Sequence, residues 1–208
     1  MSKYVITIAR GYGSGGRTIG KMLAEELGIH YYDRELLRLA SDESGINEEL
    51  FGKADEKLKE SFLYKIMKKS YSGEIITPDS DEFVSNDNLF NYQAKVIHQL
   101  AEEDEKSCII VGRCADYILR DNKNVIRIFV HAPLEHCIDT LGTMSNASRK
   151  ELQKKIESID KHRAEYYEYY TKRRWDNAGN YDLCINTSEL TFEEAVTLIK
   201  EYIKIRIK

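Results

Sequence analysis

The feature that most constrains this chain is a glycine-rich segment, RGYGSGGRTIGK, at residues 10–21. An apolar, β-branched run at residues 4–9 precedes it, and residues 18–27 carry apolar side chains at helical spacing. A strand that enters a helix through glycines forms an anion site, because the backbone N–H groups can turn inward and the helix N-terminus carries a partial positive charge. The segment therefore predicts an α/β fold that binds phosphate.

The spacing of the glycines fits two different phosphate-binding motifs. One is the dinucleotide fingerprint G-x-G-x-x-G, for which Asp33 supplies an acid 20 residues after Gly13. The other is a P-loop over residues 11–18, in which Arg17 replaces the usual lysine and Thr18 stands where a Mg²⁺ ligand belongs. Arginine keeps the charge but presents a planar fork instead of a compact ammonium. On spacing alone, both interpretations stay open.

Four further apolar runs predict strands at residues 29–32, 108–112, 125–130 and 183–185. Helical patterns separate them, which favours a parallel sheet covered on both faces. Asp33 is placed to cap a helix at 34–40, and Ser148 and Thr191 open capping boxes for a helix over 153–170 and for the C-terminal helix. Residues 41–106 form a long insertion, helical over 46–67 and from 89 to 101, with a loop between.

The composition excludes several classes of partner. The net charge of −4 does not favour nucleic acid or an anionic membrane surface. No run approaches the ~20 apolar residues of a membrane span. The four cysteines are scattered without metal-ligand spacing, which is typical of a reduced, cytoplasmic protein. We therefore expect small-molecule ligands, with neither nucleic acid nor membrane as partner.

Five blocks of the sequence resemble the cytidylate kinase-like family and follow that family's order. They are VITIARGYGSGGRTIGKMLAEELGIHYYD, IIVGRCADYIL, IRIFVHAPLEHCID, DKHRAEYYEYYTKRRW and NYDLCINTSEL. The resemblance implies one domain over residues 1–208, a P-loop NTPase-type three-layer α/β/α fold with a five-stranded parallel sheet. It also implies a helical insertion of the type that binds nucleoside monophosphates at 41–106 and a lid-like segment at 145–180.

The resemblance also implies site residues. The donor's phosphates would lie on Gly11, Tyr12, Gly13, Ser14, Gly15, Gly16, Arg17 and Thr18, with Thr18 on Mg²⁺. The acceptor would be bound by Asp33, Arg38, Arg113 and Asp116. The transferring group would be surrounded by Arg17, Arg163, Arg173 and Arg174. Arginines on a closing lid suit phosphoryl transfer, which needs cations around the phosphoryl oxygens and exclusion of water.

The activity that the resemblance implies is transfer of the γ-phosphate of ATP, with Mg²⁺, to a nucleoside monophosphate or a similar small acceptor. Two positions depart from the family, since Arg17 stands in place of lysine and Cys114 in place of aspartate. The alternative hypothesis is therefore a non-catalytic or repurposed nucleotide-binding protein with a degenerate P-loop. An NAD(P)-dependent oxidoreductase, which depends on G-x-G-x-x-G and Asp33, is the third.

Overall fold

A computed structural model describes residues 3–57, 73–76, 78, 84–102 and 106–207. Within these residues the strands are β1 (Val5–Arg10), β2 (His30–Tyr32), β3 (Cys108–Val111), β4 (Val125–His131) and β5 (Leu183–Asn186). The helices are α1 (Gly16–Leu27), α2 (Glu35–Ser44), α3 (Glu48–Lys57), α4 (Asn86–Glu102), α5 (Ala115–Ile118), α6 (Leu134–Gly142), α7 (Arg149–Thr171) and α8 (Phe192–Arg206).

The five strands form one parallel sheet in the order β2-β3-β1-β4-β5. β1 lies at its centre and pairs with β3 on one side and with β4 on the other. The carboxyl ends of all five strands therefore meet at one edge, where the glycine segment follows β1. The predicted five-stranded parallel sheet is confirmed, and each predicted strand end lies within one residue of the observed one.

The strand order separates the two interpretations of the glycine motif. In the dinucleotide-binding fold, β2 lies next to β1, so that its terminal acid reaches the ribose of a cofactor bound at the end of β1. Here β3 lies between β1 and β2. The dinucleotide interpretation, and the oxidoreductase hypothesis that depended on it, are therefore wrong.

Helices cover both faces of the sheet. Successive strand residues point to opposite sides, so the apolar strands present side chains that pack against helices on each face. Ile109 packs with α1 and α8 residues on one face, whereas Ile110 packs with α2, α4 and α5 residues on the other. Both isoleucines are fully buried. The predicted three-layer arrangement follows from this alternation.

Local signals at the helix ends have mixed outcomes. Both predicted capping boxes are present, at Ser148 and at Thr191, and Gly28 ends α1 in the left-handed conformation. The predicted cap of α2 by Asp33 is wrong. Arg34 occupies the N-cap position with helical dihedral angles and without a side-chain cap. The Asp33 carboxylate is engaged elsewhere, as described below.

The insertion between β2 and β3 contributes α3, α4 and the end of α2. The helix predicted over 46–67 is observed over Glu48–Lys57, and its later residues lie outside the described ones. Much of the predicted loop also lies outside them, and α4 begins at Asn86, three residues before the predicted helix. None of the helices in the described ranges is long and apolar enough to cross a bilayer.

Aromatic side chains join α4 to α7. The Tyr170 ring stacks on the Phe90 ring, with centroids 3.8 Å apart and an interplanar angle of 3°. The hydroxyl of Tyr170 donates to the Asn86 carbonyl oxygen at 3.2 Å, and that of Tyr169 donates to the Asp87 carboxylate at 3.1 Å. The second half of α7 is therefore fixed to the insertion.

Two left-handed glycines allow a matched test of the packing behind the glycine segment. A Cβ at Gly15 would lie 2.2 Å from the Phe192 ring, whereas nothing lies within 4 Å of a Cβ at Gly28. Both have positive φ, at 81° and 64°. Gly28→Ala should cost about 1–2 kcal/mol for the backbone alone. Gly15→Ala should cost a further 1–3 kcal/mol, roughly, for overpacking. Urea unfolding measures both, and equal losses would contradict the packing explanation.

Candidate phosphate-binding site

The glycine segment leaves the central strand and turns directly into α1. Gly13 and Gly15 adopt left-handed conformations, with φ of 86° and 81°. The Ser14 side chain is buried. Its hydroxyl lies 2.9 Å from the carbonyl oxygen of Gly11 and 3.1 Å from that of Val130, both within hydrogen-bond distance. Ser14 therefore ties the segment to β4 through its side chain. The first backbone N–H groups of α1, which have no acceptor inside the helix, stay available at its N-terminus.

Four guanidinium groups converge beside this segment, those of Arg10, Arg17, Arg113 and Arg163. They line a cavity of ≈ 860 Å³ at the carboxyl edge of the sheet. Burial, followed by the positive charge of Arg163, lowers the pKa of Arg10 to about 10. The charges of Arg113 and Arg17 act in the same direction, and Asp33 opposes them. Arg34 adds a fifth positive charge to the lining, and Asp33, Glu48 and Glu49 contribute three negative charges, so the cavity is net cationic.

The Asp33 side chain is the carboxylate that holds this cluster together. Arg17 donates from Nε to Asp33 Oδ2 at 2.6 Å and contacts the same oxygen through Nη2. Arg10 Nη2 lies 3.9 Å from the other carboxylate oxygen. Arg113 donates from Nε to the Asp33 main-chain oxygen at 3.3 Å. Asp33 itself is buried, so it cannot exchange these partners freely for water.

Two residues one turn apart, Asp160 and Arg163, attach helix α7 to the glycine segment. The Asp160 carboxylate accepts the Tyr12 backbone N–H, at 2.8 and 3.1 Å to its two oxygens. Arg163 donates to Asp160 at 3.0 Å and to the main-chain oxygen of Arg10 at 3.0 Å. Burial lowers the pKa of Arg163, and the charge of Asp160 opposes that shift. Helix α7 thus contacts the glycine segment through Asp160 and Arg163.

The turn after β3 is held in an uncommon backbone conformation. Gly112, Arg113 and Cys114 are all left-handed, with φ of 76°, 58° and 55°. A non-glycine residue in this region costs roughly 1–2 kcal/mol. Arg113 is held there by a hydrogen bond from Nη1 to Gln93 Oε1 on α4, at 2.9 Å. Strain of this kind is found at sites that must present a side chain in one direction.

Asp116 lies behind this turn, with 5 % of its surface exposed. The Tyr167 hydroxyl donates to its carboxylate at 2.6 Å. Burial raises the pKa of Asp116 to about 6, and the Tyr167 hydrogen bond opposes that shift. With Cys114, Arg113 and Trp175, Asp116 lines a smaller cavity of ≈ 180 Å³. The predicted acceptor residue is thus next to the cationic cavity without facing solvent.

Three of the predicted arginines lie away from the cluster. Arg38 pairs with Glu35 and Asp42 on the exposed face of α2. The Arg173 guanidinium lies over the Tyr117 ring, 5.2 Å from its centroid, and Arg174 forms an exposed pair with Asp176 at 2.9 Å. None of the three lines either of the two cavities described above.

Arg10 is the member of the cluster that the sequence analysis missed. In the sequence, Arg10 looks like the polar end of a buried strand. Only its position directly before the glycine segment could have identified it as a candidate site residue. Asp160 lies three residues before Arg163, but the residue that it binds, Tyr12, is 148 positions away along the chain. Contacts of that range leave no periodic signal.

A parallel sheet ordered β2-β3-β1-β4-β5, with a glycine-rich phosphate loop on its central strand, defines a kinase-like fold of the P-loop type. The family model described as the cytidylate kinase-like family matches residues 5–189. The chain therefore belongs to the cytidylate kinase-like family.

Solved structures agree with this fold. An uncharacterized protein from Eubacterium ventriosum is 26% identical, with a TM-score of 0.71 and coverage of 97% of this chain and 99% of that one. Shikimate kinase from Bacteroides thetaiotaomicron is 15% identical, with a TM-score of 0.54 and coverage of 97% and 98%. Shikimate kinase from Acinetobacter baumannii, in complex with shikimate, is 14% identical, with a TM-score of 0.53 and coverage of 100% and 97%. The search of curated proteins found no match.

Removal of the Asp33 charge should destabilise the fold, because it leaves Arg10 and Arg17 without their shared carboxylate. We expect Asp33→Asn to lower the free energy of unfolding by about 2–3 kcal/mol. Asp42→Asn, which breaks only an exposed pair with Arg38, is the matched control and should stay within about 0.5 kcal/mol of the native protein. Urea unfolding at neutral pH measures both. Similar values for the two variants would show that Asp33 does not hold the cluster.

Asp116 should make stability depend on pH. Its pKa is about 6 in the folded protein against an ordinary 3.8, so the native state binds the proton more tightly than the unfolded state. Stability should therefore fall as pH rises from about 4 to about 6 and then level off. Relative to Asp116→Asn, the native protein should lose about 2–3 kcal/mol over that interval. A difference between the two proteins that does not change with pH would contradict this.

Proposed function

We propose that this protein is a nucleotide-dependent phosphotransferase resembling cytidylate kinase, which moves the γ-phosphate of ATP to a nucleoside monophosphate or a similar small acceptor. The observation that carries the proposal is the convergence of four guanidinium groups on the N-terminus of α1. To catalyse phosphoryl transfer, a protein must chiefly position the two substrates and place cations around the phosphoryl oxygens. Membership of the cytidylate kinase-like family supports the same conclusion.

The residues present fit a nucleotide polyphosphate. Arg10 Nε is buried without a hydrogen-bond partner in the described structure, and phosphate oxygens would supply one. Backbone N–H groups of residues 13–18 would hold the donor's phosphates, aided by the positive end of α1. ATP supplies the transferable phosphoryl group, and the protein aligns and neutralises it.

The residues present also fit Mg²⁺. Thr18 is exposed in the first turn of α1, where its hydroxyl is available as a ligand. The described residues contain no group of three histidine, cysteine or acidic side chains that could form a complete metal cage. Mg²⁺ is commonly held by few protein ligands, with substrate phosphates and water completing its shell. Thr18 would thus hold an ion that arrives with the nucleotide.

The acceptor would occupy the cationic cavity. Arg113 is aimed into it from the strained turn, and Asp33 lies on its wall. Arg163 reaches the loop from α7 and would cover the transferring group. Asp116 would act from the adjoining smaller cavity. A role for Arg38, Arg173 or Arg174 requires their segments to leave the partners that they have in this structure.

The alternative is a nucleotide-binding protein without transferase activity. The observation that favours it is the pair between Arg17 and Asp33, in which the loop's basic residue is already neutralised by the protein's own carboxylate. Two Arg17 nitrogens contact one Asp33 oxygen, and such charge-assisted hydrogen bonds are stronger than those between neutral groups. In this alternative the loop holds phosphate, and Arg17 never reaches it.

A direct assay separates the two functions. ADP release is measured with ATP, Mg²⁺ and a panel of nucleoside monophosphates and small alcohols. Arg163→Gln should lower kcat/KM by at least about 10²-fold, because it removes a cation that contacts the phosphoryl group. Arg120→Gln, on an exposed arginine two residues after the end of α5, is the control and should leave kcat/KM unchanged.

Binding measurements complete the assay. Calorimetry that detects ATP binding without turnover on any acceptor, unaltered by Arg17→Lys, supports the nucleotide-binding alternative. Absence of both binding and turnover contradicts both hypotheses. Turnover that Arg163→Gln leaves intact would remove Arg163 from the proposed mechanism.

A further inference from the structure

We propose that Arg10 binds a phosphate group where donor and acceptor meet, and that it supplies the charge that a lysine ordinarily provides in a P-loop. The inference rests on the proposed function and adds a catalytic residue to it. The ligand is a doubly charged phosphate group, either the γ-phosphate of the donor or the phosphate of the acceptor.

The first observation is that the fold is built around the Arg10 side chain. A Cβ at Gly112 would lie 2.1 Å from Arg10 Nη1, and a Cβ at Gly16 would lie 2.6 Å from Arg10 Cβ. One glycine belongs to the phosphate loop and the other to the strained turn after β3. Arg10 therefore lies between the two segments that would hold the donor and the acceptor. Neither glycine could carry a side chain without displacing Arg10.

The second observation is that the charge of Arg10 is poorly compensated. Its side chain is 17% exposed, and its nearest carboxylate oxygen, on Asp33, is 3.9 Å away. That distance is too long for a hydrogen bond. Arg10 Nε is buried and makes no hydrogen bond to any described residue. A buried cation with an unused donor is costly unless an anion completes it.

The third observation is the contrast with Arg17. The Arg17 side chain is 51% exposed and its guanidinium is engaged by Asp33 through two nitrogens. Arg10 in turn lines both the larger and the smaller cavity. Of these two arginines, only Arg10 lines both cavities, and only Arg10 lacks a close carboxylate partner. A phosphate group, with three oxygens that accept hydrogen bonds, matches the guanidinium donors of Arg10.

Calorimetry on matched ligand pairs tests the proposal and distinguishes the two sources of phosphate. ATP and ADP differ by the γ-phosphate, and CMP and cytidine differ by the acceptor phosphate. Arg10→Gln should weaken binding of ATP or of CMP by about 10- to 100-fold, while ADP or cytidine changes by less than about twofold. Arg10→Lys should restore part of the loss. Arg120→Gln should have no effect on any of the four.

The ligand pair whose affinity difference changes in Arg10→Gln identifies which phosphate group Arg10 binds. A selective loss for ATP over ADP assigns Arg10 to the donor, and one for CMP over cytidine assigns it to the acceptor. If Arg10→Gln changes neither difference while the protein stays folded, the proposal is wrong. Arg10-dependent phosphate binding in a protein that never turns over would overturn the transferase function alone. Turnover with unchanged affinities in Arg10→Gln would overturn the Arg10 proposal alone.

A measurement on the native protein covers the case in which Arg10→Gln does not fold. In a ¹⁵N spectrum of the arginine Nε–H groups, titration with inorganic phosphate should move the Arg10 signal to saturation. The Arg120 signal serves as the internal reference and should not move. An Arg10 signal that stays in place at saturating phosphate would also refute the proposal.

Discussion

The site depends on one buried carboxylate. Like-charged guanidinium groups repel one another, and Asp33 is the anion that allows Arg10, Arg17 and Arg113 to share one edge of the sheet. At about 4 Å and an effective dielectric constant near 20, an opposite unit charge is worth about 4 kcal/mol of Coulomb energy. Asp33 can do this because β2 ends at the carboxyl edge, two strands away from the loop. The strand order that excludes a dinucleotide fold is also what makes the cluster possible.

Arginine in place of the loop lysine has a physical consequence. A lysine would present a mobile point charge, whereas the planar fork of Arg17 fits the Asp33 carboxylate through two nitrogens. Arg17 is therefore held against Asp33 on the wall of the cavity. Arg10, which packs closely against Gly16 and Gly112, places a second cation beside the glycine segment. The departure from the family pattern is thus accompanied by a cation from the residue that precedes the glycines.

Much of the fold could be predicted from local signals, and the site only in part. Strands and capping boxes depend on neighbouring residues, so their patterns survive in the sequence, as at Ser148 and Thr191. The Asp33 cap failed because Arg17, distant along the chain, competes for the same carboxylate. Arg10 was missed because its place in the arginine cluster follows from its burial in the fold and not from any sequence motif. The β2-β3-β1-β4-β5 order is set by the packing of the whole sheet, and the sequence analysis did not predict it.

The stacked rings of Phe90 and Tyr170 join α4 to α7. Helix α4 carries Gln93, which accepts a hydrogen bond from Arg113, and α7 carries Asp160, which accepts the Tyr12 N–H of the glycine segment. A continuous set of contacts therefore runs from the turn after β3, through α4 and α7, to the glycine segment.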